Sequence, residues 1–235
     1  MIQNPNPYAS PSQLGVRPTT ALSAGFLSQS FAWMFVGLML TAAVAWVVQG
    51  SPTLINAAAQ LYLPLLIAQI ILVVAISGAI NRLSASVALG LFLVYAALMG
   101  VTLSFIFIAY ELGSIVGAFV SAAGMFGAAA AYGAITKRSL ASIGGYLFMG
   151  LIGIIIASLV NVFLVKSAAI DFGISILGVL IFVGLTAYHV QRIAKGDLAA
   201  YTGSMEKGAV LGALSLYLDF INIFLFLLRI FGGRR

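Results

Sequence analysis

Long apolar stretches separated by short polar segments make up most of this chain. Each stretch is about 20 residues long, which suffices for a helix to cross roughly 30 Å of bilayer hydrocarbon. The pattern predicts seven transmembrane helices, over residues 31–48, 61–80, 86–109, 113–135, 143–165, 169–190 and 208–231. The predicted fold class is therefore an all-α membrane protein.

Residues 1–30 differ from the rest of the chain. They contain NPNPYASPSQ and have no continuous apolar core next to a basic start, so they do not fit a signal peptide. We interpret them as a flexible polar tail. Residues 31–235 are expected to form a single membrane domain.

The composition narrows the chemistry available to the protein. The chain is 63% hydrophobic and 7% charged, with no cysteine, one histidine and five acidic residues. This excludes thiolate catalysis and argues against a dedicated tetrahedral metal cage, and no cofactor is predicted. The net charge of +6 comes from residues that flank the apolar stretches, so it indicates anchoring at the lipid bilayer and not nucleic-acid binding.

The distribution of positive charge predicts an orientation. The N-terminal tail and the loops after spans two, four and six hold most of the lysines and arginines. By the positive-inside rule the N-terminus is cytoplasmic and the C-terminus is outside. Arg229, Arg234 and Arg235 oppose that assignment at the C-terminal end.

Asp219 is the main candidate functional residue. It lies within LSLYLDFINIFLFLL, near the middle of the last predicted span. A carboxylate there costs about 2.5–3.5 kcal/mol on insertion scales, and such residues usually handle ions or protons. A purely structural, protonated Asp219 is the alternative.

Further polar residues are expected on the same side of the bundle. Ser215 and Asn222 share the face of Asp219 at i−4 and i+3, and we predict that they support it. His189 and Arg82 fall at the cytoplasmic ends of spans six and two. Alternatively, His189 is an interfacial cap and Arg82 an ordinary positive-inside anchor.

Two GxxxG pairs occur within the apolar stretches, Gly113 with Gly117 and Gly208 with Gly212. Small residues at this spacing let helices approach closely in lipid. We expect both pairs to pack inside the protein, with a dimer seam as the alternative.

The motifs around His189 and Asp219 resemble the Bax inhibitor-1 family. They read FVGLTAYHVQRI and VLGALSLYLDFINIFLFLLRIFGGRR, and the likeness extends back to about residue 25 through FAWMFVGLMLTAAVAW, VTLSFIF and AGMFGAAAAYGAITKR. The resemblance implies six helices around a central seventh and a pH-sensitive calcium leak. It is closest to bacterial members, which implies the inner membrane.

The family's site residues transfer unevenly to this chain. The resemblance implies two aspartates that share a proton, with a basic residue of the second helix as a latch. Asp219 matches the second aspartate, so transient calcium binding is expected there. The first lies in a TAYD motif, which reads TAYH here and places His189 at that position, while Arg82 falls near the latch.

Three functions remain open at this level. The first is a cation leak or transporter that moves calcium or responds to protons. The second is a non-conducting regulator that binds another membrane protein, such as a membrane protease. An intramembrane aspartyl protease is disfavoured because it needs two facing membrane aspartates and the chain offers one, so no enzyme is predicted.

Overall fold

A computed structural model describes the backbone of residues 20–232 and the side chains of residues 25–232. The described part contains α-helices and no strand. The helices are α1 (Thr20–Gln49), α2 (Pro52–Gln60), α3 (Tyr62–Ala79), α4 (Ala85–Leu103), α5 (Ile106–Ala109), α6 (Leu112–Ile135), α7 (Ala141–Val160), α8 (Ala168–Ala194), α9 (Asp197–Thr202) and α10 (Met205–Phe231). A π-helical turn, Asn161–Val165, extends α7.

The seven predicted spans are confirmed. Within the described residues, seven segments are long and apolar enough to cross a membrane, and each coincides with a predicted stretch. The spans are α1, α3, α4 with α5, α6, α7 with its π-helical turn, α8 and α10. Helix length and hydropathy are local properties, which is why the pattern alone located them.

The start of the first helix corrects the predicted tail. Residues 20–30, expected to be flexible, belong to α1, while residues 1–19 lie outside the described residues. Phe26 is 1% exposed, and Ser30 is buried with its hydroxyl bonded to the Phe26 carbonyl oxygen. Contacts with the rest of the bundle therefore stabilise a helical turn that its polar composition did not indicate.

Two short helices, α2 and α9, were not predicted. Ser51 caps α2 and Pro52 begins it, a combination suited to a helix N-terminus. Helix α9 lies in the connection between α8 and α10. Gly196 and Gly203 at its two ends have φ of 75° and 63°, a left-handed conformation that glycine adopts without strain. These turns bring α10 back against α8.

The last span is the centre of the bundle, as predicted. In α10, 78% of the residues in its apolar window are buried, against 11–33% for the other spans. Helices α1, α4, α6 and α8 pack directly on α10. The remaining two spans, α3 and α7, pack mainly on α4 and α8, so they form an outer layer.

The two GxxxG pairs have different surroundings. A methyl group added at Gly208 would lie 2.9 Å from the Ala199 backbone nitrogen, and one at Gly212 would lie 2.8 Å from Ser30 Oγ. Packing inside the protein is therefore confirmed for this pair. At Gly113 and Gly117 no other described part of the chain lies within 4 Å of such a methyl group, so the same expectation is wrong there.

Candidate proton and ion site

Asp219 is buried in the middle of the central helix. It is the fifteenth of the 27 residues of α10, and its side chain is 2% exposed. At 1.5 Å per residue it lies about 21 Å from the start of that helix. Because four other spans pack around α10, the carboxyl group is shielded from lipid as well as from water.

His189 of α8 faces this carboxyl group directly. Its Nδ1 atom lies 2.7 Å from Asp219 Oδ2, and its side chain is 12% exposed. The distance is in the range of a charge-assisted hydrogen bond. The structure thus brings together the two residues that the TAYH and LYLDFIN motifs singled out. The packing of α8 on α10 does this, although the residues are 30 positions apart.

Aromatic rings form the surroundings of the imidazole. The ring of Phe148, from α7, meets His189 edge-on at 6.0 Å between centroids, and Tyr188 lies 5.4 Å away. The guanidinium group of Arg192 sits over the Tyr188 ring at 5.5 Å. The aromatic rings lower the local dielectric constant, which strengthens the interaction between His189 and Asp219.

Ser215 and Asn222, predicted to support Asp219, make hydrogen bonds to backbone carbonyl groups of their own helix. The Ser215 hydroxyl donates to the Leu211 carbonyl oxygen at 3.0 Å, and Asn222 Nδ2 donates to the Leu218 carbonyl oxygen at 2.8 Å. Both bonds stay within α10, because each side chain reaches the carbonyl one turn earlier. Their support of Asp219 remains a prediction.

Arg82 is not brought to the pair. It is exposed in the turn between α3 and α4, and in the described part of the chain its side chain makes no ion pair with Asp219 or His189. The implied latch is therefore not formed in this structure. Lys207 Nζ instead donates to the Asn81 carbonyl oxygen at 3.3 Å, next to Arg82.

Gln191, two residues after His189, is a residue that the sequence analysis missed. Its Oε1 accepts from the Leu140 backbone N–H at 2.8 Å, and its Nε2 donates to the Arg138 carbonyl oxygen at 2.8 Å. The side chain is buried and holds the turn between α6 and α7 against α8. The sequence signal that could have indicated Gln191 was its position between the TAYH motif and the basic residues Arg192 and Lys195.

A second buried polar contact lies on the other face of α10. The Tyr217 hydroxyl is 2.7 Å from Thr41 Oγ1, which also bonds the Ala96 carbonyl oxygen at 2.8 Å. This network joins α1, α4 and α10. The sequence analysis did not single out Thr41, whose threonine type is common in apolar spans.

The site does not resemble a resident metal centre. Among the described residues there is no group of three or more histidine, cysteine, aspartate or glutamate side chains placed to hold a metal ion. Calcium takes six to eight oxygen ligands in stable protein sites. One carboxyl group and one imidazole can attract a passing cation, but they do not form such a cage.

Arg229, in the last turn of α10, forms an ion pair with Asp171 of α8. Its Nη1 lies 3.8 Å from Asp171 Oδ1 in the first turn of α8, and its guanidinium group stacks on the Phe226 ring. Part of the positive charge that opposed the predicted orientation is thus paired within the bundle. Arg234 and Arg235 lie outside the described residues.

These features define the class of the protein: an integral membrane protein of seven spanning helices, with a buried ionisable pair on its central helix. Comparison with known proteins identifies the family. Residues 23–235 match the family described as inhibitor of apoptosis-promoting Bax1. The chain belongs to this Bax inhibitor-1 family, which is not a known class of enzymes.

Several bacterial relatives cover nearly the whole chain. Inner membrane protein YbhL of Escherichia coli K12 is 48% identical over 94% of this chain and 96% of its own length. An uncharacterized protein of Borreliella burgdorferi is 48% identical over 89% and 92% of the two chains. The uncharacterized protein YrjE of Lactococcus lactis is 38% identical over 88% and 90%.

Proposed function

We propose that this protein is a pH-sensitive cation leak channel or transporter that passes calcium, with His189 and Asp219 as its ion and proton site. The observation that carries the proposal is the 2.7 Å contact between these two side chains, which joins the C-terminal part of α8 to the buried middle of α10. Ionisable residues at membrane depth usually pair with one another and mark ion or proton pathways. The family match supports the resemblance that implies a pH-sensitive calcium leak.

The pair can change its charge in steps of one proton. With one proton shared between imidazole and carboxyl group, the pair is neutral. Removing that proton leaves one negative charge, and adding a second leaves one positive charge. Both steps belong to the coupled pair and not to either residue alone. Because a positive site repels cations, calcium flux should fall as the pH falls.

The residues of the site suit the passage of a calcium ion better than its stable binding. Calcium would meet a single carboxyl group at Asp219, which gives a weak and transient interaction. Conduction requires binding that is favourable enough to enter and weak enough to leave. The proposed partners are therefore the bilayer, calcium and protons.

The proposed location is a bacterial inner membrane, with the N-terminus in the cytoplasm and the C-terminus outside. The name of the E. coli relative supports the membrane assignment, and the positive-charge bias supports the orientation. A reporter fused after Arg235 should be periplasmic, and one inserted at Gly203 should be cytoplasmic. Both reporters on one side would contradict a crossing α10.

Flux through purified protein tests the proposal. Liposomes containing a calcium indicator should take up calcium when the protein is present, and uptake should fall between pH 8 and pH 5. Asp219→Asn should abolish or flatten this pH dependence while the protein still inserts and purifies. Asp171→Asn is the matched control, since it removes an acid at the opposite end of the bundle. Unchanged flux in Asp219→Asn would contradict the assigned site.

A non-conducting regulator that binds another membrane protein is the second candidate. The face of α6 around Gly113 and Gly117 favours it, because a methyl group added at either glycine would meet no other described part of the chain within 4 Å. Wild-type liposomes that show no calcium uptake at any pH, from protein shown to be folded, would select this function over the leak.

A further inference from the structure

A groove runs between α1 and α6, the two neighbouring helices that pack on α10 without packing closely on each other. Its volume is about 430 Å³. Phe220, Ile221 and Phe224 of α10 form its floor. At one end it is closed by the break between α4 and α5. At the other, the rings of Phe31 and Phe126 meet edge-on at 6.2 Å.

The lining of the groove leaves no unused polar group. Thr41 is the only residue in the lining with a polar side chain. Its hydroxyl already contacts the carbonyl oxygens of Gly37 and Ala96 and the hydroxyl of Tyr217. An occupant therefore gains nothing from polar atoms at this position and must be apolar.

The groove opens sideways, toward lipid. Phe35, Met39 and Phe119 line it and are 61%, 57% and 47% exposed, on two membrane-spanning helices. Water is absent at that depth of a bilayer. The space is therefore filled by hydrocarbon or by another protein segment.

The length of the groove distinguishes a lipid acyl chain from a segment of another protein. The α1 lining runs from Met34 to Ala45, which is about 16 Å at 1.5 Å per residue. This is about half of the roughly 30 Å hydrocarbon core, the depth of a single leaflet. A spanning helix of a partner needs about 20 residues, or about 30 Å, so it is about twice as long as the groove. One acyl chain matches it.

We propose that this groove binds one acyl chain of a membrane phospholipid. The lipid belongs to the leaflet at the end of the bundle that carries α5, because Leu103, Ile106 and Phe107 border the groove there. The chain lies along the floor residues of α10 and supplies dispersion contacts that the gap between α1 and α6 lacks. It covers the central helix where the other helices leave it open.

Substitutions that fill the groove test the proposal. Ala42 lines it and Ala43 does not, and both are exposed on α1, so a larger side chain fits at either position. The probe is palmitoyl-oleoyl phosphatidylethanolamine, added to delipidated protein and counted by native mass spectrometry. Wild-type protein and Ala43→Phe should retain one lipid per chain, and Ala42→Phe should lose at least tenfold in retention. Equal retention in the two variants would overturn the proposal.

A crosslinking experiment on the wild-type chain keeps the proposal testable if Ala42→Phe folds poorly. A phospholipid with a diazirine in its acyl chain should label Phe35, Met39 and Phe119 more than Met149, Ile152 and Ile156. The second set is equally exposed on α7 but lines no part of this groove. Even labelling would indicate ordinary boundary lipid and overturn the proposal. Retention of free oleate without retention of phospholipid would overturn its assigned source.

Discussion

The central helix α10 and the outer helix α7 are both apolar, yet their surroundings are opposite. Mean hydropathy is 2.0 for the α10 span and 2.6 for the α7 span, while 78% and 11% of their windows are buried. The more apolar helix is therefore the one on the outside. In a bilayer the solvent is as apolar as a protein core, so hydropathy does not select the buried helix.

What distinguishes α10 is that its glycines lie against neighbouring helices and that it carries buried polar side chains bonded to those helices. Gly208 and Gly212 allow close contact with α9, α1 and α8, and Asp219 and Tyr217 bond to other helices. Helix α7 contains no charged residue, and its glycines are divided: Gly144 and Gly150 lie against α8, while Gly145 and Gly153 face open space. Packing and polar contacts drive helix association in lipid, which explains why the helix that makes both with several neighbours lies at the centre.

The largest expected effect comes from replacing a closely packed glycine of α10 with a large residue. Gly212→Leu should strongly reduce the yield of folded, monodisperse protein, because even a methyl group there would lie 2.8 Å from Ser30 Oγ and 3.0 Å from Ile193 Cδ1. Overpacking of this kind costs about 1–3 kcal/mol or more. Gly153→Leu is the matched change on α7 and should leave yield and thermal stability nearly unaltered. Size-exclusion chromatography and thermal unfolding measure both. Similar losses in the two variants would remove the distinction between the helices.

The second prediction concerns a substitution that changes the charge of the His189–Asp219 pair. His189→Asp places two carboxyl groups together, so the singly protonated site gains one negative charge relative to the neutral wild-type pair. Calcium affinity should rise by roughly tenfold, or about 1.4 kcal/mol, and the pH dependence of flux should become steeper. Liposome flux against calcium concentration and pH measures both quantities.

His189→Asn is the control for that change. Asparagine keeps a polar partner for Asp219 but cannot share a proton with it as imidazole does, so the pH dependence of flux should weaken without a rise in calcium affinity. If His189→Asp alters neither affinity nor the pH profile, His189 is not coupled to Asp219 in function. His189 would then be better explained as a residue that only caps its span at the membrane interface.

The smallest expected effect concerns a single hydroxyl. Tyr217→Phe removes the bond to Thr41, and polar bonds between helices in membranes contribute about 0.6 kcal/mol on average. A small decrease in thermal stability is expected. Tyr146→Phe on α7 is the matched control, because Tyr146 is 75% exposed and lies in the outer layer. Equal stability of both variants would show that the buried network adds nothing to the central helix.

Part of the candidate site was accessible from the sequence. Asp219 was identified because an acid in an apolar span is costly wherever that span packs, and His189 because its motif aligns with an aspartate of the resembling family. Arg82 was placed near the site because it falls, like His189, at the cytoplasmic end of its span, and the resemblance then implied that it is a latch. The structure leaves Arg82 exposed in a turn, where Lys207 of α10 bonds the neighbouring Asn81, and it shows that Gln191 of α8 bonds Leu140. Contacts of this kind depend on which helices are neighbours, and no local pattern records that.

The sequence by itself determined the seven spans, the all-helical class and the unusual position of Asp219. Each follows from the transfer of individual side chains between water and hydrocarbon, which depends on residue type and local order alone. Only the tertiary structure decided that Gly212 is packed while Gly117 is open, that Thr41 meets Tyr217, and that α1 begins at Thr20. Those outcomes depend on contacts between distant segments. Since lipid and protein interior are equally apolar, hydrophobicity could not reveal them.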